Sequence, residues 1–379
     1  MKDHLTLIMF LLLPFGFLSY GMIHEGQHLA FILAAVVVMG SLIANRYVKG
    51  FYFYLAVWML FAMLYRMFMP LHPSVFALLM NQVAFFAAGG VLYIAVSRSK
   101  TGIETFYNAI CIGAIVQTLI AVSQSLGFDP VLFAIRFFVS AGPMLDPTTM
   151  TGSLGNPNFL AAYIAISLPF FFRKNWAYFI PVLVYVLYCS KTTSAFVPVI
   201  IGATYFYHER IFKNPNIERW CWHRIVGASL LVVGLSLWYA IFNHTPFYSN
   251  PRWTDWYSVL SIWSKSSFAI VFGMGPGAVW SKPYPMHNEW LECLYQYGTI
   301  GFALLAGYVV TIYRGNKILF TAFLIAAINI FGNYAIHLSP SAFLIIIVAG
   351  LIERESRQRL SDVAPSGAGV SPAPSAKRK

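Results

Sequence analysis

Apolar stretches long enough to cross a lipid bilayer recur along almost the whole chain, from Leu5 to Leu351. A helix needs about 20 apolar residues to cross the roughly 30 Å hydrocarbon core of a membrane. No long polar segment separates these stretches, and 59% of the 379 residues are hydrophobic while 10% are charged. A water-soluble domain of this length cannot hide such a composition from water. The sequence therefore predicts an all-α, polytopic integral membrane protein surrounded by membrane lipids.

Hydropathy divides the chain into about twelve predicted membrane-spanning helices. Their predicted ranges are 5–23, 28–44, 51–69, 74–97, 105–126, 157–172, 175–190, 192–207, 224–242, 289–312, 318–333 and 336–352. Two predicted loops, 127–156 and 243–288, are longer than the others, and long ordered loops often carry function. Residues 1–352 form the predicted membrane domain. The tail 353–379 ends in a stretch rich in Pro, Ser, Ala and Gly, which predicts disorder.

The distribution of Lys and Arg predicts that both termini lie in the cytoplasm, because cytoplasmic loops retain basic residues during membrane insertion. In this orientation most of the 25 basic residues fall in inner loops and tails. The exceptions on the outer side are Arg66, Arg136, Lys191, Arg252, Lys265 and Lys282. These residues oppose the general bias and are therefore candidates for a functional role. Membrane topology also explains the net charge of +12 without nucleic-acid binding, since no soluble basic domain is present.

The segment Gly155-Asn-Pro-Asn158 leads from the first long loop into a predicted helix. Asn156 suits the N-cap position and Pro157 suits the first helical position, where its missing N–H is not needed. A helix N-terminus of this kind also offers backbone N–H groups to an anion such as phosphate. A helix start without any ligand explains the same residues.

Two outer cations lie in polar or aromatic segments. Lys191 belongs to Ser190-Lys-Thr-Thr-Ser194 at a predicted outer junction, where it either contacts lipid headgroups or binds phosphate. Arg252 opens Arg252-Trp-Thr-Asp-Trp256 in the second long loop, and its guanidinium can bind phosphate oxygens with two hydrogen bonds. Trp256 suits stacking on a sugar face or anchoring at the membrane interface.

His287 is the strongest candidate for a catalytic residue. It lies just before a predicted helix that starts on the outer side, and a histidine can accept a proton from an attacking hydroxyl near neutral pH. An isolated histidine is more often structural, but Lys191 and Arg252 are predicted on the same face of the membrane. His337 is a second candidate. The motifs of zinc proteases and α/β-hydrolases are missing here, and the four cysteines show no metal-ligand spacing.

Five motifs in order resemble the O-antigen ligase family, which includes O-antigen polymerases and bacterial protein O-glycosyltransferases. They are GNPN at 155–158, SKTTSA at 190–195, RWTDW at 252–256, GMGPG at 273–277 and HNEWLECLYQYGTIG at 287–301. The resemblance covers 155–301, while the earlier helices are similar only in being hydrophobic. One departure is Lys191, because family members often carry Arg there; lysine keeps the charge but loses the planar fork of donors.

The resemblance implies glycan transfer from an undecaprenyl-diphosphate donor to a hydroxyl acceptor, at the periplasmic face of a bacterial inner membrane. No metal, cofactor or nucleotide sugar is expected. It implies that His287 is catalytic and that Arg252, Lys191 and Arg136 bind the diphosphate. The other predicted substrate contacts are Asn156, Asn158, Asn288, Glu289 and Trp256.

The acceptor stays open at this point. It is a lipid A core for a ligase, a growing glycan for a chain polymerase, or a protein hydroxyl for a protein O-oligosaccharyltransferase. A transporter or flippase of a lipid-linked glycan is the alternative from another class, since the same cations can bind the donor without chemistry. That alternative predicts charges near the bilayer midplane, whereas most charges here lie at predicted helix ends.

Overall fold

The computed structural model describes residues 89–90, 92–131, 133, 150–173, 175–211, 252–275, 288–312, 315–331 and 339–363. Within these ranges the chain is mainly helical and contains no strand, which confirms the predicted all-α class for the described part. Four predicted spans lie outside these ranges, at 5–23, 28–44, 51–69 and 224–242. The candidate site residues Arg136, His287 and His337 also lie outside them.

The described α-helices are α1 (Ile103–Ser125), α2 (Pro157–Ser167), α3 (Ile180–Cys189), α4 (Thr193–Ile211), α5 (Arg252–Trp263), α6 (Ser267–Phe272), α7 (Glu289–Thr311), α8 (Lys317–Asn329) and α9 (Ser339–Val363). Short 3-10 helices cover Gly152–Leu154, Leu168–Phe172 and Ala177–Phe179. The α2 helix and the 3-10 helix after it together cover the predicted span 157–172. The bounds of α1 and α7 also agree closely with the predicted spans 105–126 and 289–312.

The structure shows helices in two regions outside the predicted spans. The long loop predicted at 243–288 contains two helices, α5 and α6. The disorder predicted from residue 353 is wrong for 353–363, because α9 continues to Val363. An ion pair between Arg357 and Glu353 at 2.8 Å, one helical turn apart, stabilises this extension. Arg354 also donates a hydrogen bond to the backbone carbonyl of Thr101.

The α2 helix lies at the centre of the described bundle, in contact with α1, α4, α8 and α9. Its apolar side chains Leu160, Ile164 and Ile166 are completely buried. We use the name outer end, after its predicted side of the membrane, for one end of the bundle. At this end α1, α3 and α8 finish, and α2, α4 and α7 begin. The opposite end is called the inner end.

Polar contacts fasten the inner end of the bundle around Arg173. Its guanidinium forms an ion pair with Glu104, donates a 2.9 Å hydrogen bond to Asn108 and lies 5.1 Å from the ring centroid of Tyr107. The hydroxyl of Tyr107 accepts a 3.0 Å hydrogen bond from Asn316, just before α8. Arg173, from the predicted basic loop, therefore also connects the chain that follows α2 to α1.

Among the described helices, α1 alone combines the length and apolar composition of a membrane-spanning helix. Shorter apolar helical segments cover Pro157–Phe172, Ala177–Cys189, Ser194–Tyr207 and Lys317–Asn329. The α1 helix thus supplies one candidate membrane span within the described part of the chain.

Candidate functional site

Two buried glutamines of α1 fix the segment that precedes α2. The Oε1 atom of Gln124 accepts the backbone N–H groups of Thr151 at 2.9 Å and Gly152 at 2.8 Å, and its Nε2 donates to the carbonyl of Gly152 at 3.0 Å. Gln117 accepts the backbone N–H of Ser153 at 2.9 Å and donates to its hydroxyl at 2.7 Å. A side-chain amide can donate and accept at once, so it pairs with a backbone as another backbone would. The sequence-based prediction did not include Gln117 and Gln124. The feature that indicates them is the spacing of two glutamines about two turns apart on an apolar helix.

The predicted start of α2 is confirmed. The side chain of Asn156 accepts a 2.8 Å hydrogen bond from the backbone N–H of Asn158, and Pro157 occupies the first turn. Gly155, just before the cap, has φ of 73°, in the left-handed region where glycine carries no steric penalty. The GNPN motif thus forms a capped helix N-terminus, and substrate binding by Asn156 stays a prediction.

The turn between α3 and α4 lies against this helix start. Thr192 is buried and donates a 2.9 Å hydrogen bond from Oγ1 to Oδ1 of Asn158. Lys191, the residue before it, is exposed and has φ of 53°, a conformation that residues other than glycine rarely adopt. Two of the five motifs, GNPN and SKTTSA, therefore meet at the outer end.

The C-terminal end of α8 connects the start of α4 with the start of α7. The Nδ2 atom of Asn329 donates to the carbonyl of Ser194 at 3.3 Å. The carbonyl of Ile330, the next residue, accepts the backbone N–H of Glu289 at 3.0 Å. Trp290 adds a 3.0 Å hydrogen bond from its indole N–H to the carbonyl of Ala327. The SKTTSA motif and the HNEW segment are thus attached to consecutive residues of one helix end.

The α7 helix begins with a buried polar stripe. Asn288 caps the helix by accepting the backbone N–H of Leu291 at 3.1 Å, and its side chain is buried. Glu289 and Glu292 are also buried, and Gln296 donates a 2.6 Å hydrogen bond to Glu292. Negative charge is favoured in the first turns of a helix by the helix dipole. His287, immediately before Asn288 in sequence, lies outside the described residues.

A break in α7 at Gly298 accommodates the segment that follows α6. Gly298 has φ of 66° and ψ of −172°, which is not helical. The carbonyls of Tyr295 and Gln296 accept hydrogen bonds from the backbone N–H groups of Met274 at 2.8 Å and Gly275 at 3.0 Å. The described glycines of the GMGPG motif therefore serve a close backbone crossing.

The α5 helix packs on the outer half of α7. Val259 and Tyr295 are buried against each other, with Trp256, Leu291 and Met274 around them. Trp256 is thus half-buried in an apolar cluster, and its predicted contact with a sugar stays a prediction. Arg252 is the first residue of α5. The RWTDW, GMGPG and HNEWLECLYQYG motifs are accordingly neighbours through α5, α6 and α7.

No family model, curated protein or solved structure matches the chain. The resemblance to the O-antigen ligase family therefore depends on the five motifs themselves. In the described part of the chain, direct contacts join GNPN to SKTTSA, and SKTTSA to the start of α7 through α8.

Proposed function

We propose that the chain is an inner-membrane glycosyltransferase of about twelve spans that transfers a glycan from an undecaprenyl-diphosphate donor to a hydroxyl acceptor, as an O-antigen ligase does. The observation that carries this proposal is the hydrogen bond between Thr192 and Asn158, two residues 34 positions apart. It brings the turn that contains Lys191 to the N-terminus of α2, next to the N-terminus of α4.

These groups share one sign of charge. Helix N-termini carry a partial positive charge, and Lys191 adds a full one beside two of them. The partial negative charge at the C-terminus of α3, which ends at Cys189, offsets part of this positive charge, and a diphosphate would offset the rest while accepting hydrogen bonds from backbone N–H groups. A lipid-linked diphosphate at a helix junction near the membrane surface fits this requirement.

The proposed reaction is a displacement at the anomeric carbon of the donor glycan. The acceptor hydroxyl oxygen forms a bond to that carbon, the bond from carbon to the diphosphate oxygen breaks, and the configuration inverts. His287 accepts the proton of the hydroxyl, and undecaprenyl diphosphate leaves with its charge offset by Arg252, Lys191 and Arg136. The chemistry needs no metal because these cations take over charge stabilisation.

The asparagines leave donors for the substrate. Asn156, Asn158 and Asn288 each use Oδ1 for a hydrogen bond within the protein. Their Nδ2 groups are donors, which suit phosphate oxygens and sugar hydroxyls. We therefore expect these side chains to contact the substrate through nitrogen.

The experiment is transfer in vitro from a purified undecaprenyl-diphosphate glycan, with wild type, His287→Ala and Arg252→Ala at equal amounts of folded protein. The acceptors offered are a lipid A core, a second lipid-linked glycan and a peptide rich in Ser and Thr. We expect product with wild type and a loss of roughly a hundredfold in each variant. Lys265→Ala is the matched control, because Lys265 is an exposed outer cation without a proposed role.

The acceptor that reacts separates ligase, polymerase and protein glycosylation. Full activity in both variants would contradict the site. Movement of the donor across vesicle membranes by wild type, without any product, would contradict the transferase and favour the flippase.

A further inference from the structure

We propose that Asn329 is a positioning residue that holds the Lys191 turn in place for binding the donor diphosphate, an inference that rests on the proposed function. Asn329 is the last residue of α8 and is completely buried. It reaches the SKTTSA segment, 135 residues earlier in the chain, through the hydrogen bond from its Nδ2 to the carbonyl of Ser194.

The chemical nature of Asn329 is the first argument. The α8 helix is otherwise almost entirely apolar, with Leu319, Ala322, Ile325 and Ala326 in the core. Burying an amide among such side chains costs free energy unless its polar atoms are paired. An aliphatic residue of the same size would fill the space without this cost, so packing alone does not explain an asparagine here.

The conformation of Lys191 is the second argument. A lysine with φ of 53° is in a conformation that costs free energy, and the surrounding structure must hold it there. Thr192 is bonded to Asn158 on one side of the turn, and Ser194 is bonded to Asn329 on the other. The two tertiary hydrogen bonds therefore bracket the strained lysine and attach its turn to α2 and α8.

The neighbour of Asn329 supplies the third argument. The carbonyl of Ile330 accepts the backbone N–H of Glu289, two residues after His287 in sequence. One helix end thus sets the separation between the turn with the proposed diphosphate ligand and the helix that follows the proposed base. A change at Asn329 would therefore shift the Lys191 turn relative to the start of α7.

The test is a double-mutant cycle between Asn329 and Lys191 in the transfer assay. Asn329→Leu has a similar size but no donor, and Asn329→Ala is the smaller companion variant. We expect Asn329→Leu to raise the KM for the donor or lower kcat, with about tenfold lower kcat/KM, the size expected for one hydrogen bond. In a Lys191→Ala background the same substitution should change kcat/KM by less than about twofold, because residues that act through one another are not additive.

A control comes from the same helix. Thr321 is buried as completely as Asn329, but its hydroxyl donates to the carbonyl of Lys317 within α8. Thr321→Val should therefore leave kcat/KM unchanged. Equal losses from Asn329→Leu with and without Lys191 would overturn the proposal, since they would indicate a general structural role.

Hydrogen exchange provides a readout that does not depend on transfer activity. The backbone N–H of Lys191 donates to Tyr188, and that of Ala195 donates to Thr192. We expect faster exchange in the peptide 188–196 of Asn329→Leu than in wild type, with no change in peptides from α1. Unchanged exchange would overturn the proposal whatever the activity. If wild type transfers to no acceptor, the proposed function fails, and exchange alone then decides whether Asn329 holds the turn.

Discussion

Gly273 and Gly298 cross with their backbones in contact. A Cβ on Gly298 would lie 2.6 Å from the backbone nitrogen of Gly273, and a Cβ on Gly273 would lie 2.2 Å from the carbonyl oxygen of Gln296. Both glycines have positive φ, 84° and 66° respectively. The crossing fixes the segment after α6 against the break in α7. It therefore ties the chain that runs from Arg252 through α5 and α6 to α7, the helix that follows His287 in sequence.

Replacing either glycine of this crossing should unfold the site. We expect Gly273→Ala and Gly298→Ala each to lower the free energy of unfolding by about 3 kcal/mol or more, because the new methyl group meets backbone and because φ is positive. The measurement is the melting temperature of the purified protein in detergent.

Gly307→Ala is the control, since in the described part of the chain a Cβ there would meet no heavy atom within 4 Å outside its own helix backbone and chain neighbours. That change should be neutral or stabilise α7 by up to about 1 kcal/mol. Equal melting temperatures for all three variants would contradict the crossing.

Gln124 should stabilise the segment before α2 more than its neighbours on α1 do. Gln124→Leu leaves the N–H groups of Thr151 and Gly152 buried without their acceptor, at a cost of about 2 to 4 kcal/mol. Thr118→Val is the control on the same helix, because the hydroxyl of Thr118 donates to the carbonyl of Ala114 within α1. Proteolysis of the folded protein within 150–156 should accelerate in the first variant and stay at the wild-type rate in the second. Similar rates in both would show that Gln124 does not hold the segment.

Much of the local structure could be predicted from the sequence, and the contacts between segments could not. The cap by Asn156 and the bounds of α1 follow from local residue types and apolar length, which act within a few residues. The bond between Asn329 and Ser194 joins distant parts of the chain, and no local pattern encodes such a pairing. The break in α7 at Gly298 could not be predicted from local sequence either, because it accommodates the backbone of Gly273 from a different segment.

Composition misled the prediction at the end of α9. The last predicted span ends at 352, and the Pro, Ser, Ala and Gly further along the tail predict disorder for 353–379. Glu353 and Arg357 instead form a pair spaced for a helix, so the chain leaves the apolar core and remains helical to Val363. Loss of hydrophobicity marks the edge of a predicted membrane span, whereas helix ends depend on caps and side-chain pairs.

Lys191 should show opposite effects on stability and activity. Glycine adopts φ of 53° without steric penalty, so Lys191→Gly should be neutral or raise the free energy of unfolding by up to about 1 kcal/mol. The same change removes the proposed diphosphate ligand and should reduce kcat/KM for the donor by at least about tenfold. Lys191→Arg should retain most of the activity because the charge remains. Melting temperature and donor kinetics, measured on the same samples, check both parts. Undiminished kcat/KM in Lys191→Gly would remove Lys191 from the site.

Labelling of single cysteines should locate the two ends of the bundle on opposite sides of the membrane. Lys100 precedes α1 at the inner end, Lys265 lies between α5 and α6, and both are exposed. In a variant without the four native cysteines, we expect Lys265→Cys to react with a membrane-impermeant maleimide in intact cells stripped of their outer membrane. Lys100→Cys should react only in inverted vesicles or after permeabilisation, because the positive-inside bias predicts that its loop lies in the cytoplasm. Reaction of both from the same side would contradict the odd number of membrane spans predicted between them, at 105–126, 157–172, 175–190, 192–207 and 224–242, and with it the topology on which a periplasmic transfer site depends.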